Sequence, residues 1–339
     1  MQKHPSTLKE IAQALNISVS TVSRALQNHP RIGLRTRQRV QEMARQMHYI
    51  PNSAAQLLRK HRTLTIGVLL PFLQEEFFSL AITGIEDVIT PKGYNVIVSQ
   101  SRNFYDREVQ AMQSFLHSRV DGVIASISAE TIDCTHFEAL QDYGIPLVFF
   151  DRVPKNFPAH RVRSQIVAGT ITAMQYLLQR GCTKIALLNG PENLEVAQER
   201  LLGYQTAIRE NGLPLLSGLT KSVDLTQEDT WAKMAELWQA PDRPQAVLAF
   251  NDYTALYAMQ WCKQHGIVPN QDLVFVGFAN LPILTFIDNP PVASVEQFAY
   301  RMGEKAAEIL MQILEQERFP DLELREIMIE TRLIVHEPT

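Results

Sequence analysis

The chain has 339 residues, of which 45% are apolar and 20% charged, and its formal net charge is −4. This length excludes a single domain of the usual size, so two or three domains are expected, and the composition is that of an ordinary soluble globular protein. Residues 1–62 hold 11 lysines and arginines against two acidic residues, whereas the rest of the chain holds 21 against 34. The asymmetry predicts a basic N-terminal part that binds a polyanion and an acidic body that does not.

The three cysteines, Cys134, Cys182 and Cys262, are far apart and form no CxxC pair. This spacing argues against a disulfide framework and a zinc site, and it fits a reducing compartment. The N-terminus has no apolar signal core, and no apolar run reaches the length needed to span a bilayer. We therefore expect a cytoplasmic protein with no metal and no cofactor.

The first predicted elements are two short helices joined by a tight turn. Thr7 and Glu10 have the spacing of a capping box, and apolar residues then repeat at helical spacing as far as Leu15. Ser18 can cap a second helix that presents Arg24 on its outer face. The spacing fits a helix-turn-helix, whose second helix enters the DNA major groove. Taken alone, residues 17–26 favour an ordinary small amphipathic helix with a solvated arginine, but the segments on both sides favour the helix-turn-helix.

A third helix is predicted from about Leu34 to Met47. One of its faces carries four arginines: Arg35, Arg37, Arg39 and Arg45. Such a run is usually a solvated face, but beside a candidate DNA-reading helix, and with only Glu42 to balance it, phosphate contact is favoured. Residues 51–62 follow as an apolar segment that is too short for a stable isolated helix. It is either a helix that orders only against a partner or a plain linker.

From Leu64 the pattern changes to apolar runs that alternate with amphipathic helical stretches. The expected strands occupy residues 66–70, 94–99, 120–127, 146–150, 185–188, 246–250 and 273–278. The expected helices begin near Glu75, Asp106, Asp133, Val167, Glu195, Thr230 and Asp252. This alternation predicts two doubly wound units with parallel sheets, and we place their boundary near residues 161–167. Ligands bind such folds at the carboxyl ends of the strands or in the cleft between units.

Ordered motifs along nearly the whole chain resemble the LacI/GalR (lactose-repressor) family of bacterial transcription regulators. In the N-terminal part they are TLKEIA at 7–12, VSTVSRAL at 19–26, TRQRV at 36–40 and YIPN at 49–52. In the body they are TIGV at 65–68, GIE at 84–86, VDGVI at 120–124, GIPLV at 144–148, DR at 151–152, ERLLGY at 199–204, ND at 251–252 and VGF at 276–278. So many matches in the right order are specific, where a single motif is not.

The resemblance implies an α/β protein with an N-terminal three-helix helix-turn-helix head and two doubly wound parallel α/β subdomains of periplasmic-binding-protein type. The head would span 1–50, a hinge helix and linker 51–62, and the effector-binding and dimerisation domain 63–339. The first subdomain would comprise about 63–163 and 295–324, and the second about 164–294 and 325–339. Residues 327–335 are expected as a terminal strand pair. No leucine heptad follows, so a homodimer is expected.

The resemblance also implies that two heads bind a palindromic operator, with one half-site per subunit. The residues expected to read base edges are Val19, Ser20 and Arg24. The residues expected to position the DNA backbone are Ser18, Thr21, Ser23, Asn28, Arg31 and Tyr49. In the hinge, Leu58 matches the family's wedge leucine, which would kink the duplex from the minor groove. Ala55 and Asn52 complete the expected DNA contacts.

The positions that match the family's effector cleft are Phe77, Phe78, Ser101, Ser126, Asp151, Arg200, Asn251 and Asn280. The two phenylalanines could stack on a sugar ring or pack in the core. Arg200 could bind the effector or form a surface salt bridge, and Asp151 could instead pair with Arg152. The effector, a sugar or sugar derivative, would change the angle between the subdomains and thereby the affinity for the operator.

Several cleft positions depart from the family pattern. Ala279 and Asn280 follow the VGF motif where the family has Asp-Asp or Asp-Asn, and Ser164 and Gln165 stand where Asp-Asn is common. The run PFLQEEFF at 71–78 also differs from the family's usual Pro-Asp-x-x-Asn-Pro-Phe-Phe. Because alanine cannot hold sugar hydroxyls, three effector classes stay open. They are a modified sugar, a sugar acid or phosphate held by the cleft arginine, and a less polar ligand.

Two rival functions are less favoured. A solute-binding module without a regulatory role would need a signal segment and would not need a basic head. An enzyme would need a catalytic constellation, and the sequence has no GxGxxG, GxxxxGK[ST], GxSxG or HExxH motif. We therefore expect a nucleoid-associated regulator that is not an enzyme and that acts as a repressor, with activation as the alternative.

Overall fold

The computed structural model describes residues 6–26, 28–49, 62–316 and 323–336. These residues fall into two compact units, one within residues 1–63 and the other within 64–339. The predicted hinge helix, with the candidate DNA contacts Asn52, Ala55 and Leu58, lies outside the described residues.

The N-terminal unit is the expected bundle of three helices. They are α1 (Leu8–Leu15), α2 (Val19–Leu26) and α3 (Leu34–Gln46). The predicted capping box is present. Thr7 Oγ1 accepts from the Glu10 backbone N–H at 3.3 Å, and Glu10 Oε2 accepts from the Thr7 N–H at 2.7 Å. Ile11, Val22 and Val40, one from each helix, are fully buried and form the centre of a small core.

The first sheet of the C-terminal unit has six parallel strands. They are β1 (Thr65–Leu70), β2 (Asn95–Gln100), β3 (Gly122–Ala125), β4 (Leu147–Phe150), β5 (His160–Ser164) and β11 (Glu326–Ile329). Their order across the sheet is β11-β5-β4-β3-β1-β2. Helices α4 (Glu76–Ile89), α5 (Tyr105–His117), α6 (Thr135–Asp142) and α11 (Ala299–Glu315) belong to this sheet. The sheet and these helices form the first subdomain.

The second sheet also has six strands. They are β6 (Ile185–Asn189), β7 (Thr220–Ser222), β8 (Ala246–Ala249), β9 (Val274–Phe278), β10 (Ala293–Glu296) and β12 (Arg332–Val335). The order is β12-β10-β9-β8-β6-β7; β12 runs antiparallel to β10, and the other described neighbours pair in parallel. Helices α7 (Ile166–Gln179), α8 (Glu195–Glu210), α9 (Gln227–Gln239) and α10 (Asp252–Gln264) complete the second subdomain. The predicted class of two doubly wound parallel α/β subdomains is confirmed.

Helices α4 and α11 approach each other closely because each has a glycine at the contact. A Cβ on Gly84 would overlap the carbonyl oxygen of Tyr300, and a Cβ on Gly303 would overlap that of Ala81. The absence of both side chains therefore lets the two backbones meet. This contact fixes α11, the helix that follows the crossover from β10, onto the first sheet.

Within the described ranges, the chain passes between the sheets three times: after β5, after β10, and between β11 and β12. Two strands are present near the predicted segment 327–335, but they do not pair with each other. β11 joins β5 in the first sheet and β12 joins β10 in the second, so the expected assignment of 325–339 to one subdomain is corrected. The alternating pattern of this segment predicts strands, but it carries no information about which distant strand each one pairs with.

Candidate functional site

The outer face of α2 presents short side chains and one arginine. Val19 is 43% exposed and Ser20 and Arg24 are also exposed, whereas Val22 and Ala25 on the opposite face are fully buried. One face of the helix is thus fixed to the core, and the three predicted base-reading side chains are accessible. An arginine in this setting can donate two hydrogen bonds to a guanine edge.

Ser18 caps α2 as predicted. Its Oγ accepts from the Thr21 backbone N–H at 3.2 Å, and it also lies 2.9 Å from Ser20 Oγ and 2.8 Å from Thr21 Oγ1. The start of α2 therefore gathers three hydroxyl groups, and hydroxyl donors are suited to phosphate oxygens. Ser23, one turn further along, is half-buried.

The remaining predicted backbone-positioning residues differ in their surroundings. Asn28 has a left-handed backbone (φ 54°), and its Oδ1 accepts from Gln41 Nε2 at 2.9 Å, so its own amide nitrogen stays available as a donor. Arg31 is exposed. Tyr49 is half-buried and packs against the helical core, so part of its role is structural.

The four arginines of α3 are not equivalent. Arg45 forms an ion pair with Glu42 at 3.0 Å, and Arg37 donates to the Asn28 carbonyl at 3.4 Å. Arg35 and Arg39 are exposed and form no ion pair within the described residues. These two are the strongest candidates for phosphate contact from α3.

A small cavity lies between the two subdomains of the C-terminal unit. Five of the eight predicted effector residues line it: Phe77, Phe78, Asp151, Arg200 and Asn251. Its volume is about 30 Å³. This is room for two or three water molecules, since one water needs roughly 10–15 Å³ of such space. A sugar-sized ligand therefore requires the walls of the cavity to separate.

Arg200 is the central cation of this cavity and is only 3% exposed. Its guanidinium carbon lies 4.1 Å from the ring centroid of Phe250 and 4.4 Å from that of Phe278, so two aromatic faces sandwich it. Nη1 donates to the Val196 carbonyl at 3.1 Å, but Nε has no hydrogen-bond partner within the described residues. Burial lowers the pKa of Arg200 to about 10, although the charges of Asp151 and Glu199 oppose this shift. Arg200 is thus not a surface salt-bridge residue.

Two carboxyl groups face the arginines of the cavity. Asp151 follows β4 in a left-handed conformation (φ 57°), and its Oδ2 lies 4.0 Å from Arg152 Nε. Burial raises the pKa of Asp151, while Arg152 and Arg200 oppose the shift. Burial likewise raises the pKa of Glu75, and the charge of Arg152 again opposes this shift. The cavity therefore offers both donors and acceptors to a polar ligand.

Asn251 and the adjacent Asp252 organise the wall that the second subdomain contributes. Asn251 Oδ1 accepts from the Thr254 N–H at 2.8 Å and caps α10, which leaves its amide nitrogen as a donor. Asp252 is fully buried and accepts from Ser294 Oγ at 2.6 Å and from the Leu281 N–H at 2.8 Å. Burial raises the pKa of Asp252 to about 7. This carboxyl group holds the loop after β9, which lines the cavity.

The other three predicted effector residues do not line the cavity. Ser101 and Ser126 are fully buried near the ends of β2 and β3, and neither lines it. Asn280 donates from Nδ2 to Glu296 at 3.0 Å, and its Oδ1 lies 3.1 Å from His336 Nε2. Asn280 thus joins the loop after β9 to β10 and to the C-terminal segment.

Seven of the twelve residues that line the cavity were not predicted from the sequence, and the three polar or charged ones among them are Glu75, Arg152 and Gln297. Glu75 and Arg152 lie within two residues of the predicted Phe77 and Asp151, and a charged residue so close in sequence to a ligand position is a signal that could have identified them. Of the predicted aromatic pair, Phe78 is 1% exposed and packs edge-on against Phe77 and Phe150. Core packing therefore accounts for most of its surface.

The described part of the chain contains no helix long and apolar enough to cross a membrane. It also contains no group of three or more His, Cys, Asp or Glu side chains arranged to hold a metal ion.

Two family descriptions match the chain. "Bacterial regulatory proteins, lacI family" matches residues 7–52, and "Periplasmic binding proteins and sugar binding domain of LacI family" matches residues 63–337. The HTH-type transcriptional repressor CytR of Escherichia coli (strain K12) is 28% identical over 310 residues, which is 91% of this chain and 90% of CytR. The HTH-type transcriptional repressor PurR of Vibrio cholerae serotype O1 (strain M66-2) is 30% identical over 318 residues, 91% of each chain.

Among solved structures, the Lac repressor dimer bound to operator and the anti-inducer ONPF has the same fold. Its TM-score is 0.85 at 24% identity, and the match covers 99% of each chain. Both curated relatives are transcriptional repressors.

Proposed function

The chain belongs to the LacI family of bacterial regulatory proteins, and on this premise we propose that it is a sequence-specific transcriptional repressor under small-molecule control. It binds a palindromic operator as a homodimer, and an effector held between the two subdomains sets its affinity for that operator. The single observation that carries the proposal is the face of α2. A capped helix, buried along one side, exposes Val19, Ser20 and Arg24 on the other.

We assign base reading to those three residues. Ser18, Thr21, Ser23, Asn28, Arg31 and Tyr49 position the DNA backbone. In this proposal residues 51–62 form the hinge, with Asn52, Ala55 and Leu58 at the minor groove, and residues 63–339 bind the effector and form the dimer. The protein acts in the cytoplasm at the nucleoid and catalyses no reaction. Activation instead of repression is the alternative, since it depends on where the operator lies relative to a promoter.

Selection of bound sequences from a random DNA pool, with the purified full-length protein at fixed salt, tests the DNA-binding part. We expect an enriched palindrome, because a two-fold dimer presents two identical reading helices. Enrichment of a single asymmetric site would contradict the dimeric reader. No enrichment, with or without added sugars and sugar phosphates, would contradict sequence-specific binding.

The effector is a sugar or sugar derivative that contacts Arg200, Asp151 and Asn251, with Phe77 at the wall. The support is the buried guanidinium of Arg200, whose Nε is unpaired within the described residues. A panel of neutral sugars, sugar acids and sugar phosphates, screened by the shift in unfolding temperature, tests this assignment, since a ligand that binds only the folded state stabilises it.

Arg200→Met gives the control for that panel. Methionine fits between the two aromatic rings, and Arg152 remains beside Asp151, so we expect a moderate loss of unfolding free energy of about 1–3 kcal/mol from the lost contacts of the guanidinium. The stabilisation by the effector should be lost. A strongly destabilised variant would instead show that Arg200 serves the fold. Retained stabilisation by the effector would remove Arg200 from the site.

A further inference from the structure

An ion cluster joins the two subdomains beside the cavity. Arg163 lies on β5 of the first subdomain, and its Nη2 lies 2.7 Å from Glu199 Oε1 and 3.3 Å from Glu195 Oε1, both on α8 of the second. Its Nη1 lies 2.9 Å from Glu326 Oε1 on β11. One guanidinium group therefore faces three carboxylates, and two of these belong to the opposite subdomain.

The cluster is poorly hydrated on the side of α8. Glu195 and Glu199 expose only 21% and 20% of their side chains, and Arg163 exposes 12%. The second oxygen of each glutamate is buried and has no hydrogen-bond partner within the described residues. Without Arg163, two partly buried negative charges would repel each other one helical turn apart, and both would repel Glu326.

The same part of α8 carries the central cation of the cavity. Arg200 directly follows Glu199, and its Nη1 donates to the Val196 carbonyl one turn earlier. The first subdomain holds the start of α8 at a second point as well, because Asn193 Nδ2 donates to the Ala129 carbonyl oxygen. The first two turns of α8 are therefore held from across the cleft, and Arg200 takes its position from them.

We propose that Arg163 is a positioning residue for the effector response, because it holds the start of α8 against the first subdomain and thereby places Arg200 in the cavity. The proposal rests on the proposed function only in taking Arg200 as the effector contact. In this proposal, the separation between α8 and the first subdomain is determined by electrostatic forces between Arg163 and the three carboxylates of Glu195, Glu199 and Glu326.

Distances between two spin labels, measured by pulsed electron paramagnetic resonance on the full chain, test this proposal. One label replaces Tyr143 of the first subdomain and the other Leu202 on α8, since both side chains are exposed. Cys134→Ser removes the cysteine that is not buried. Dilution with unlabelled protein suppresses distances between subunits. We expect Arg163→Met to shift the distribution to longer distances.

Charge is separated from packing by two further variants. Arg163→Lys keeps a cation and should retain most of the original distance. Adding Glu195→Gln and Glu199→Gln to Arg163→Met removes the repulsion and should restore the original distance.

The shift in Arg163→Met alone should also grow as pH rises through the titration of Glu199. Burial raises the pKa of this carboxyl group, and in the original protein the charge of Arg163 opposes that rise. Glu195, Arg163 and Arg200 are the charges that act on Glu199, and Glu326 shares the guanidinium group of Arg163 with it.

Matched controls complete the design. Arg209→Met removes an exposed arginine from the same helix and should leave the distance unchanged. A second label pair, at Tyr143 and the exposed Val268, reports whether the whole second subdomain moves or only α8.

Nuclear magnetic resonance of protein with ¹⁵N-labelled arginine follows Arg200 directly. Its Nε–H signal, assigned by its loss in Arg200→Lys, should shift in Arg163→Met and return to its original position in the triple variant.

An Arg163→Met protein with the original α8 distance, or a shift that the two glutamine substitutions fail to reverse, would overturn the proposal. An unchanged Arg200 signal would overturn it as well. These readouts need neither DNA nor effector. Failure of the operator selection would therefore count against the proposed function, whereas failure here counts against the role of Arg163 alone.

Discussion

Arg24 is the residue on which the DNA-reading assignment of α2 most depends. It is exposed on the face opposite Val22 and Ala25, and no ion pair within the described residues competes for its guanidinium. We expect Arg24→Ala to relax the preference at one base pair per half-site by about 1–3 kcal/mol, the usual value of a bidentate contact to guanine. The measurement is a repeat of the random-pool selection with the variant. An unchanged base preference at every position would exclude Arg24 from reading.

The raised pKa of Asp252 predicts how the free energy of unfolding depends on pH. Its carboxyl pKa is raised from 3.8 to about 7 in the folded protein, so the folded state binds more protons than the unfolded state between these values. The contribution of Asp252 to the free energy of unfolding therefore falls as pH rises from about 4 to about 7 and is constant above that. Asp252→Asn should remove this fall, which is on the order of 4 kcal/mol at most.

Urea denaturation at several pH values measures this difference. The three tryptophans, Trp231, Trp238 and Trp261, all lie in the second subdomain and report its unfolding by fluorescence. Glu75 and Asp151 also have raised pKa values, so the quantity to compare is the difference between wild type and variant at each pH. Parallel pH profiles for the two proteins would show that folding does not raise the pKa of Asp252.

At the scale of elements, the contact between α4 and α11 depends on two glycines whose backbones meet the opposite helix. Gly84→Ala places a methyl group against the carbonyl oxygen of Tyr300, and backbone cannot yield as a flexible side chain can. We expect a loss of about 1–3 kcal/mol, the usual cost of overpacking. Gly218→Ala is the control, because its Cβ would meet nothing within 4 Å. Circular dichroism during urea unfolding compares the two, and equal stabilities would show that the helices can separate freely.

The elements that the sequence predicted well are those whose signal is local. β1, β6 and β8 lie inside runs of apolar residues, and such runs predict buried parallel strands wherever they occur. β5 alternates polar and apolar residues after an irregular loop, and β7 has only three residues at a sheet edge, so neither was predicted. The partners of β11 and β12 were also not predicted, because the residues of a strand do not show which distant strand it pairs with.

The same limit applies to the cavity. Arg200 and Asp151 were predicted because their residue types and neighbours match a known pattern, and both line the cavity. Asn280 matched by position as well, but its amide group is engaged by Glu296 and His336. Hydrogen bonds between three distant segments determine whether such a side chain is free to contact a ligand. Sequence position alone therefore predicts which loop borders the cavity but not which of its side chains lines it.

For the whole molecule, the uneven distribution of charge predicts how operator binding responds to salt. Residues 1–62 carry 11 lysines and arginines with two acidic residues, whereas the remainder carries more acidic than basic residues. Each phosphate neutralised by the protein releases counterions and adds about 0.9 to the slope of log affinity against log salt. Because an excess of acidic residues repels phosphate, we expect the whole slope to arise from the basic part.

Arg39→Gln tests this expectation at an exposed arginine of α3 that has no ion pair within the described residues. If each subunit of a dimer places Arg39 on a phosphate, the slope should fall by about 2, with equal losses on operator and random DNA, since phosphate contacts carry no sequence information. Arg209→Gln makes the same charge change in the acidic body and should leave the slope unchanged. A variant that loses affinity for the operator alone would move Arg39 from positioning to reading, whereas equal slopes for all three proteins would assign the phosphate contacts to other basic residues.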